Sequence, residues 1–272
     1  MSFSTIKPFL QDIGAAASQL GHELYIVGGY VRNKIYAELN GLSFKQNQDI
    51  DLVINTNAIN FIYQYQKYLE DNDPHHVTFD ILEEFKPFGT IKIQHPEYTA
   101  SIIEIASTRT EIYSEPAAFP EVTIIHDVSA DLVRRDFTIN ALLESLMPKS
   151  FGEISDHIGG IADMEKKLIR AFHTESFIDD PTRITRALRF MVEYDFMIEA
   201  ETLESMLTAL KHEDFPLWLK KRKNRFEIEA NKIRELGKEK FLLVCGFLDG
   251  LEANAVVSKN EMTWRSSLLE DF

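Results

Sequence analysis

Only one cysteine, Cys245, occurs in the 272 residues, so the chain can have no intramolecular disulfide and no cysteine-built zinc site. That cysteine sits in the apolar run FLLVCGFL (241–248), where a thiol is expected to be buried as a small hydrophobe. No stretch of about 18 or more apolar residues exists, which leaves no candidate membrane helix. The opening residues MSFSTIKPFLQDIG lack a basic segment followed by an apolar one, so no secretory signal is expected and the cytoplasm is the expected location. Positive charge is also scarce: 29 Lys and Arg stand against 43 Asp and Glu, a formal net charge of −14. A field of that sign opposes a protein that coats nucleic acid by overall attraction, but not one that grips a polyanion through local basic patches.

What is present is enough apolar residue, 44%, and enough length for a substantial core in one or two domains. The first half carries short runs rich in Ile and Val, several alternating with period two: ELYIV (23–27), DIDLVI (49–54), VTFDIL (77–82), GTIKIQ (89–94) and SIIEIA (101–106). Helical patterns fill 30–39 and roughly 56–70. After about residue 128 the strand signals nearly vanish, and 130–146, 160–167, 181–195, 200–211 and 222–249 read as helices. The switch implies an α+β head followed by a helical extension, with a boundary at 147–152, MPKSFG.

Asp49-Ile50-Asp51 opens one of the strand-like runs. Residues i and i+2 of a strand share a face, so the two carboxylates project together while Ile50 and Leu52 point into the core. Two adjacent carboxylates repel unless a cation lies between them, and Mg²⁺ is the hard, oxygen-seeking ion such a pair suits. Some twenty residues earlier stands YIVGGYVR (25–32), a strand, a glycine pair and a helix start. Gly28 and Gly29 let phosphate approach the backbone, the helix N-terminus offers free N–H groups, and Arg32 adds a fork of donors one turn in. Together they suggest a triphosphate cradle beside a metal site. Glu104, flanked by isoleucines in a later strand, is the candidate third carboxylate of a two-metal clamp.

These residues carry a family resemblance. YIVGGYVR and DIDLV, then LVRRDFTINAL (132–142), DHIGGIADMEKKLIRAF (156–172) and DDPTRITRALRF (179–190), in that order, resemble the class II tRNA nucleotidyltransferase and bacterial poly(A) polymerase family. The resemblance implies a polymerase-β-like nucleotidyltransferase head (1–147), an all-helical neck with base-recognition elements (148–236) and a short C-terminal helical remnant (237–272). It implies use of ATP and CTP with Mg²⁺ to extend the 3′ end of tRNA or another RNA, with no membrane involved. Alternatives on the same scaffold are poly(A) addition, CC-only or A-only addition, and, more distantly, a catalytically silent RNA-binding homologue. It implies roles as well: Arg134 and Arg135 for the triphosphate, and Asp136, with Asn140 beyond it, for the ribose hydroxyls, since a carboxylate accepts from O–H. Asp180 and Arg183 match the base-reading element. A carboxylate there would accept from the exocyclic amine of C or A, and the guanidinium would donate to the same base edge. The same two residues satisfy a local reading, with Asp180 as helix N-cap and Pro181 as first helical residue. Arg186 and Arg189 continue the helix as a basic stripe, with Arg186 assigned to the nucleotide. Arg109, in TRTEIYSEPAAFPEV (108–122), matches a family arginine expected at phosphate or RNA.

Three positions depart from the family pattern: Asn33 follows Arg32 where aspartate is usual, Asp179 replaces glutamate, and Asn224-Arg225-Phe226-Glu227 stands where a Glu-Arg-Ile type is expected. LGKEKFLLVCGFLDGL (236–251) reads as one amphipathic helix and the tail 254–272 as weakly structured. The basic run Lys220-Lys221-Arg222-Lys223 reads as a solvated helix face or an RNA backbone contact.

Overall fold

The Ile- and Val-rich runs of the first half form a mixed seven-stranded sheet in this computed structural model, which describes residues 3–44, 49–72, 79–98 and 102–255. In chain order the elements are α1 (Phe3–Gln19), β1 (Leu24–Val27), α2 (Gly29–Leu39), β2 (Ile50–Ile54), α3 (Ala58–Asn72), β3 (Asp80–Phe85), β4 (Thr90–Gln94) and β5 (Ile103–Ser107). Then come β6 (Arg109–Ile112) and β7 (Glu121–Ile124), which pair with each other alone, followed by α4 (Val128–Leu132), β8 (Leu143–Ser145), β9 (Ile154–Ser155) and α5 (Gly160–Glu165). The order across the large sheet is β3-β4-β5-β2-β1-β8-β9. Strands β2 and β5 run parallel, and the other neighbours are antiparallel. This puts β2, with its aspartate, at the centre, between β1 and β5.

The strand pattern of β2 explains the placement. Ile50, Leu52, Val53 and Ile54 are buried while Asp51 is exposed, so the strand is anchored by apolar side chains and presents one carboxylate. Helix α1, which the sequence reading does not anticipate, buries Ile6, Leu10, Ile13 and Ala17 at helical spacing. Gly14 lets that helix approach the sheet: a Cβ there would lie 2.0 Å from the carbonyl oxygen of Leu146.

Two expectations are corrected. Residues 130–146 do not form one helix; they divide into α4, a 3₁₀ turn at Thr138–Asn140, and β8. The run ALLESL is short and apolar, and periodicity cannot tell a buried strand from a buried helix there. Pairing with β1, Val27 opposite Leu143, buries all three residues of β8. The strand expected at 77–82 instead occupies Asp80–Phe85 and takes in Glu83 and Glu84, which an edge strand tolerates because one side faces water. Residues 77 and 78 lie outside the described residues, as does 256–272 of the tail.

Beyond residue 163 come β10 (Leu168–Ile169), α6 (Ser176–Asp179), α7 (Thr182–Tyr194), β11 (Met197–Ile198), α8 (Ala200–Leu210), α9 (Phe215–Lys221), α10 (Lys223–Glu235) and α11 (Lys238–Ala255). Helix α7 is strongly amphipathic, and α10 and α11 pack on it. The stretch read as helical over 222–249 is carried by two helices, α10 and α11, separated at Gly237, whose φ of 94° is a left-handed stop that favours glycine. The chain divides into two compact units, one of residues 1–111 and 122–162, the other of 112–121 and 163–272. No described helix is long and apolar enough to cross a membrane.

Candidate active site

In the sheet unit, chemistry-bearing residues gather at the start of β2. Val27 lies opposite Asp51 in the β1–β2 ladder, and Asp51 lies opposite Glu104 in the parallel β2–β5 ladder, so Asp51 and Glu104 share a face. Asp49 precedes β2, is exposed like Asp51, and accepts a hydrogen bond from the Ile102 N–H at 3.0 Å through one oxygen. That bond orients the carboxylate and leaves its second oxygen for other partners. Glu104 differs: Lys92, its partner on β4, brings Nζ to 3.8 Å of its carboxylate while also reaching Glu83 at 3.3 Å.

The glycine pair sits directly against this carboxylate. Gly28 has φ 75° and ψ −135° and is the N-cap of α2, which has no side-chain cap and no acidic residue in its first turn. A Cβ on Gly28 would lie 3.2 Å from Oδ2 of Asp51. The missing side chain therefore leaves a gap between the helix N-terminus and the aspartate. Gly28→Ala is expected to cost about 1–3 kcal/mol for a positive-φ backbone that glycine alone readily adopts, and calorimetric unfolding should record a melting point lower by about 2–4 °C per kcal/mol. An unchanged melting point would show that the turn relaxes freely.

Behind the gap lies a buried polar chain. Arg32 donates from Nε to Oδ1 of Asn33 at 3.1 Å and from Nη1 to Oδ1 of Asn140, and Asn140 donates onward to Oδ1 of Asp136 at 2.8 Å. The same Asp136 oxygen accepts from the Phe137 N–H at 2.8 Å. Asn33, although uncharged where the family has aspartate, still accepts from the arginine. The Asp136–Asn140 link survives the replacement of a full helix by a 3₁₀ turn, because a side chain four positions on remains within reach.

A second cluster, missed by the sequence reading, centres on Asp131. It is fully buried, and its Oδ1 accepts from the Arg109 N–H at 3.0 Å and from Arg134 Nε at 2.9 Å, while Oδ2 accepts from Arg135 Nη2 at 3.0 Å. Glu111 bridges Arg109 Nε at 2.9 Å and Arg134 Nη1 at 3.2 Å. Arg109 also donates to the Phe88 carbonyl at 2.9 Å. Three guanidinium groups thus share two carboxylates, leaving net positive charge. Burial pushes the Arg135 guanidinium below its ordinary range, and Arg134 adds to this, while Asp131 and the sheet carboxylate Asp51 oppose it. Arg135 accordingly senses Asp51. The signals for the hub were present: Asp131 precedes Arg134 and Arg135 by three and four residues, and Arg109 and Glu111 alternate on one strand face.

In the helical unit the residues expected to read a base form their own group. Asp180 is 4% exposed; Oδ1 accepts from the Thr182 N–H at 3.1 Å and its hydroxyl at 2.6 Å, and Oδ2 accepts from Arg225 Nη1 at 2.8 Å. The carboxylate therefore holds Thr182, the first residue of α7, whose N-cap is Pro181, and also holds an arginine. Arg183 donates to the Ser176 hydroxyl at 2.6 Å. Burial raises the Asp179 carboxyl above its usual range, against the pull of His173 and Arg183. Arg186 does not stand alone: Nε lies 3.7 Å from Glu229, which also takes Arg189 Nε at 3.0 Å and Lys232 Nζ at 3.5 Å. Burial alone would raise Glu229, but these three cations outweigh it and hold the carboxyl below its usual range. In the 220–223 run, Arg222 is 3% exposed, so that segment is not a uniformly solvated face.

A divalent cation can be tested against this geometry. Among the described residues no three His, Cys, Asp or Glu side chains come together to hold a metal ion. The pair of exposed carboxylates at Asp49 and Asp51, all-oxygen and beside the gap at Gly28, fits a hard cation that keeps waters in its shell.

Residues 24–170 match the family model described as the poly A polymerase head domain. The chain is 35% identical over 200 residues to an A-adding tRNA nucleotidyltransferase of Halalkalibacterium halodurans, an alignment covering 74% of this chain and 42% of that protein. It is 32% identical over 207 residues to a CCA-adding enzyme of Lactobacillus johnsonii, covering 75% of this chain and 44% of that one. Among solved structures, the Thermotoga maritima CCA-adding enzyme complexed with tRNA superposes with a TM-score of 0.70 at 27% identity, over 98% of this chain and 56% of that chain. The chain thus spans less than half the length of these two curated relatives.

Proposed function

The chain belongs to the poly A polymerase head-domain family, and from that premise we propose that it is an RNA nucleotidyltransferase adding C, A or both to a tRNA 3′ end from CTP and ATP. The observation that carries the proposal is the approach of Gly28, at the uncapped start of α2, to Asp51 on β2. A helix N-terminus that favours phosphate beside a carboxylate pair that favours a cation is the combination that binding a nucleoside triphosphate requires.

The residue roles follow from their chemistry. Asp49 and Asp51 would hold Mg²⁺, which when bound neutralises triphosphate charge and lowers the pKa of the attacking hydroxyl. The RNA 3′-OH attacks the α-phosphorus, the new O3′–P bond replacing the bond to the β-phosphate, so that pyrophosphate leaves and the hydroxyl proton passes to solvent. Gly28 and Gly29 give backbone access to the phosphates. The excess positive charge of Arg109, Arg134 and Arg135 over Asp131 and Glu111 suits the leaving pyrophosphate. Asp136, held by Asn140 and through it by Arg32, is oriented to accept from ribose hydroxyls. In the helical unit, Asp180 and Arg183 read the base edge, with Arg225 steadying the aspartate. Arg186, engaged with Glu229, acts on the nucleotide through its charge. Glu104 stands as a third sheet carboxylate whose charge Lys92 moderates. The same reading assigns transfer chemistry to 1–147 and base reading to 148–236, with α11 following, in a cytoplasmic protein.

Nucleotide addition with Mg²⁺, each labelled triphosphate separately, and tRNA ending before C, CC or A tests the proposal. CTP or ATP should be incorporated and UTP and GTP refused, because U and G present a carbonyl where C and A present an amine. Asp180→Asn puts a donor where only acceptance was possible and should raise UTP use relative to CTP about ten- to a hundredfold, the worth of one charge-assisted hydrogen bond. Asn can keep the local hydrogen bonds that Asp180 makes at the helix start, so a folded Asp180→Asn protein with unaltered selectivity would reduce Asp180 to a structural residue that anchors Thr182 and Arg225. Absence of incorporation from any triphosphate would overturn the function itself.

A further inference from the structure

Residues 112–121 belong to the helical unit and carry an exposed aromatic ring on an unusually well-anchored loop. Phe119 is 72% exposed. The loop beneath it is fixed at several points: the Ala117 N–H donates to the Ile178 carbonyl at 3.0 Å, Glu115 pairs with Lys221 at 2.9 Å, and Arg222 Nη2 donates to the Ala118 carbonyl. Ala117 itself is buried with φ 56°, a left-handed conformation that costs a non-glycine residue about 1–2 kcal/mol and persists only where surrounding contacts enforce it.

Arg222 is the pivot. Its guanidinium carbon lies 4.7 Å from the Phe119 ring centroid, yet the residue is only 3% exposed. Its Nε is buried without a hydrogen-bond partner among the described residues. Burial pushes this guanidinium below its ordinary range, while Asp180 opposes that and Arg225 and Arg183 add to it. The same arginine that backs the ring therefore lies in the field of the groups assigned to the base edge. One face of the ring is occupied by a planar cation; the remaining surface is open to solvent. A rigid, exposed aromatic ring with a cation behind it is costly in water and favours a flat, polarisable partner.

We infer that Phe119 is a stacking platform for a nucleobase, held by the positioning residue Arg222. The inference rests on the proposed nucleotidyl transfer and adds a contact to the base's π-face beside the edge contacts of Asp180 and Arg183. Stacking does not distinguish C from A, since every base has a π-face, so Phe119 contributes affinity and the aspartate contributes selectivity. The base belongs either to the incoming triphosphate or to the RNA 3′ end.

Calorimetric binding of ATP, CTP and inorganic tripolyphosphate, together with fluorescence of an RNA primer ending in 2-aminopurine, tests it on the full chain. Phe119→Ala should weaken base-dependent binding about five- to a hundredfold, leave tripolyphosphate affinity unchanged, and leave the melting point unchanged because the ring is exposed. Phe119→Trp should retain wild-type binding, and Phe119→Leu, apolar but without a π-face, should behave as Ala does. Weakened ATP and CTP would identify the incoming base as the partner; unquenched 2-aminopurine with normal triphosphate binding would identify the RNA end. If Phe119→Ala binds every probe like wild type, or Phe119→Leu matches Phe, the platform is wrong while nucleotide addition by the wild type still stands. A wild-type protein that binds neither triphosphate nor RNA and adds no nucleotide overturns both.

Discussion

Asp51→Ala is expected to lower nucleotide addition about a thousandfold or more without loosening the fold. The carboxylate is exposed, so its removal leaves no cavity. On the proposed reading, what is lost is a cation ligand at the centre of the sheet and the oxygen nearest the gap at Gly28, together with a negative charge that favours the Arg135 guanidinium. Charge stabilisation by a bound metal at a transferring phosphoryl group is worth several kcal/mol, and each 1.4 kcal/mol is a factor of ten in rate. Single-turnover extension of a tRNA primer at saturating triphosphate measures the chemical step, and thermal unfolding of the same sample checks the fold. Addition within tenfold of wild type would remove Asp51 from the reaction.

Asp131→Ala is expected to act on stability, by about 3–5 kcal/mol. This carboxylate is fully buried and satisfies a backbone N–H and the guanidinium groups of Arg134 and Arg135. Removing one partner of a buried ionic cluster leaves uncompensated charge in a poorly solvated site, which costs far more than the intact cluster contributes. Glu111 still holds Arg109 and Arg134, so Arg135 bears most of the loss. Against a typical total of 5–15 kcal/mol, the change would remove a large fraction of the stability. Urea unfolding should show a lower midpoint with an unchanged slope. A change below about 1 kcal/mol would mean that water or rearrangement compensates the arginines and that Asp131 is not their anchor.

Features governed by neighbours within a few residues were legible in the sequence. The alternation Asp49-Ile50-Asp51-Leu52 determined which side chains face out, because strand geometry alternates whatever the strand pairs with. The glycine pair before a helix determined the uncapped N-terminus of α2, and Asp180 before Pro181 determined the start of α7. The ordered motifs carried the family. Tertiary structure decided what local pattern leaves open. ALLESL became β8 because β1 offered it a partner strand and complete burial. Glu104 acquired Lys92 because β4 pairs with β5 in one register. Arg222, one cation in a run of four that gives no local sign of burial, became buried against Phe119, and Asp131 rather than solvent took Arg134 and Arg135. A charged side chain's surroundings depend on which distant segments cover it, and burial sets whether its charge is screened by water or must be met by a specific partner. Residue type and spacing determined the candidate chemistry of this chain; packing alone decided which charges were already engaged and which sites were left to take a ligand.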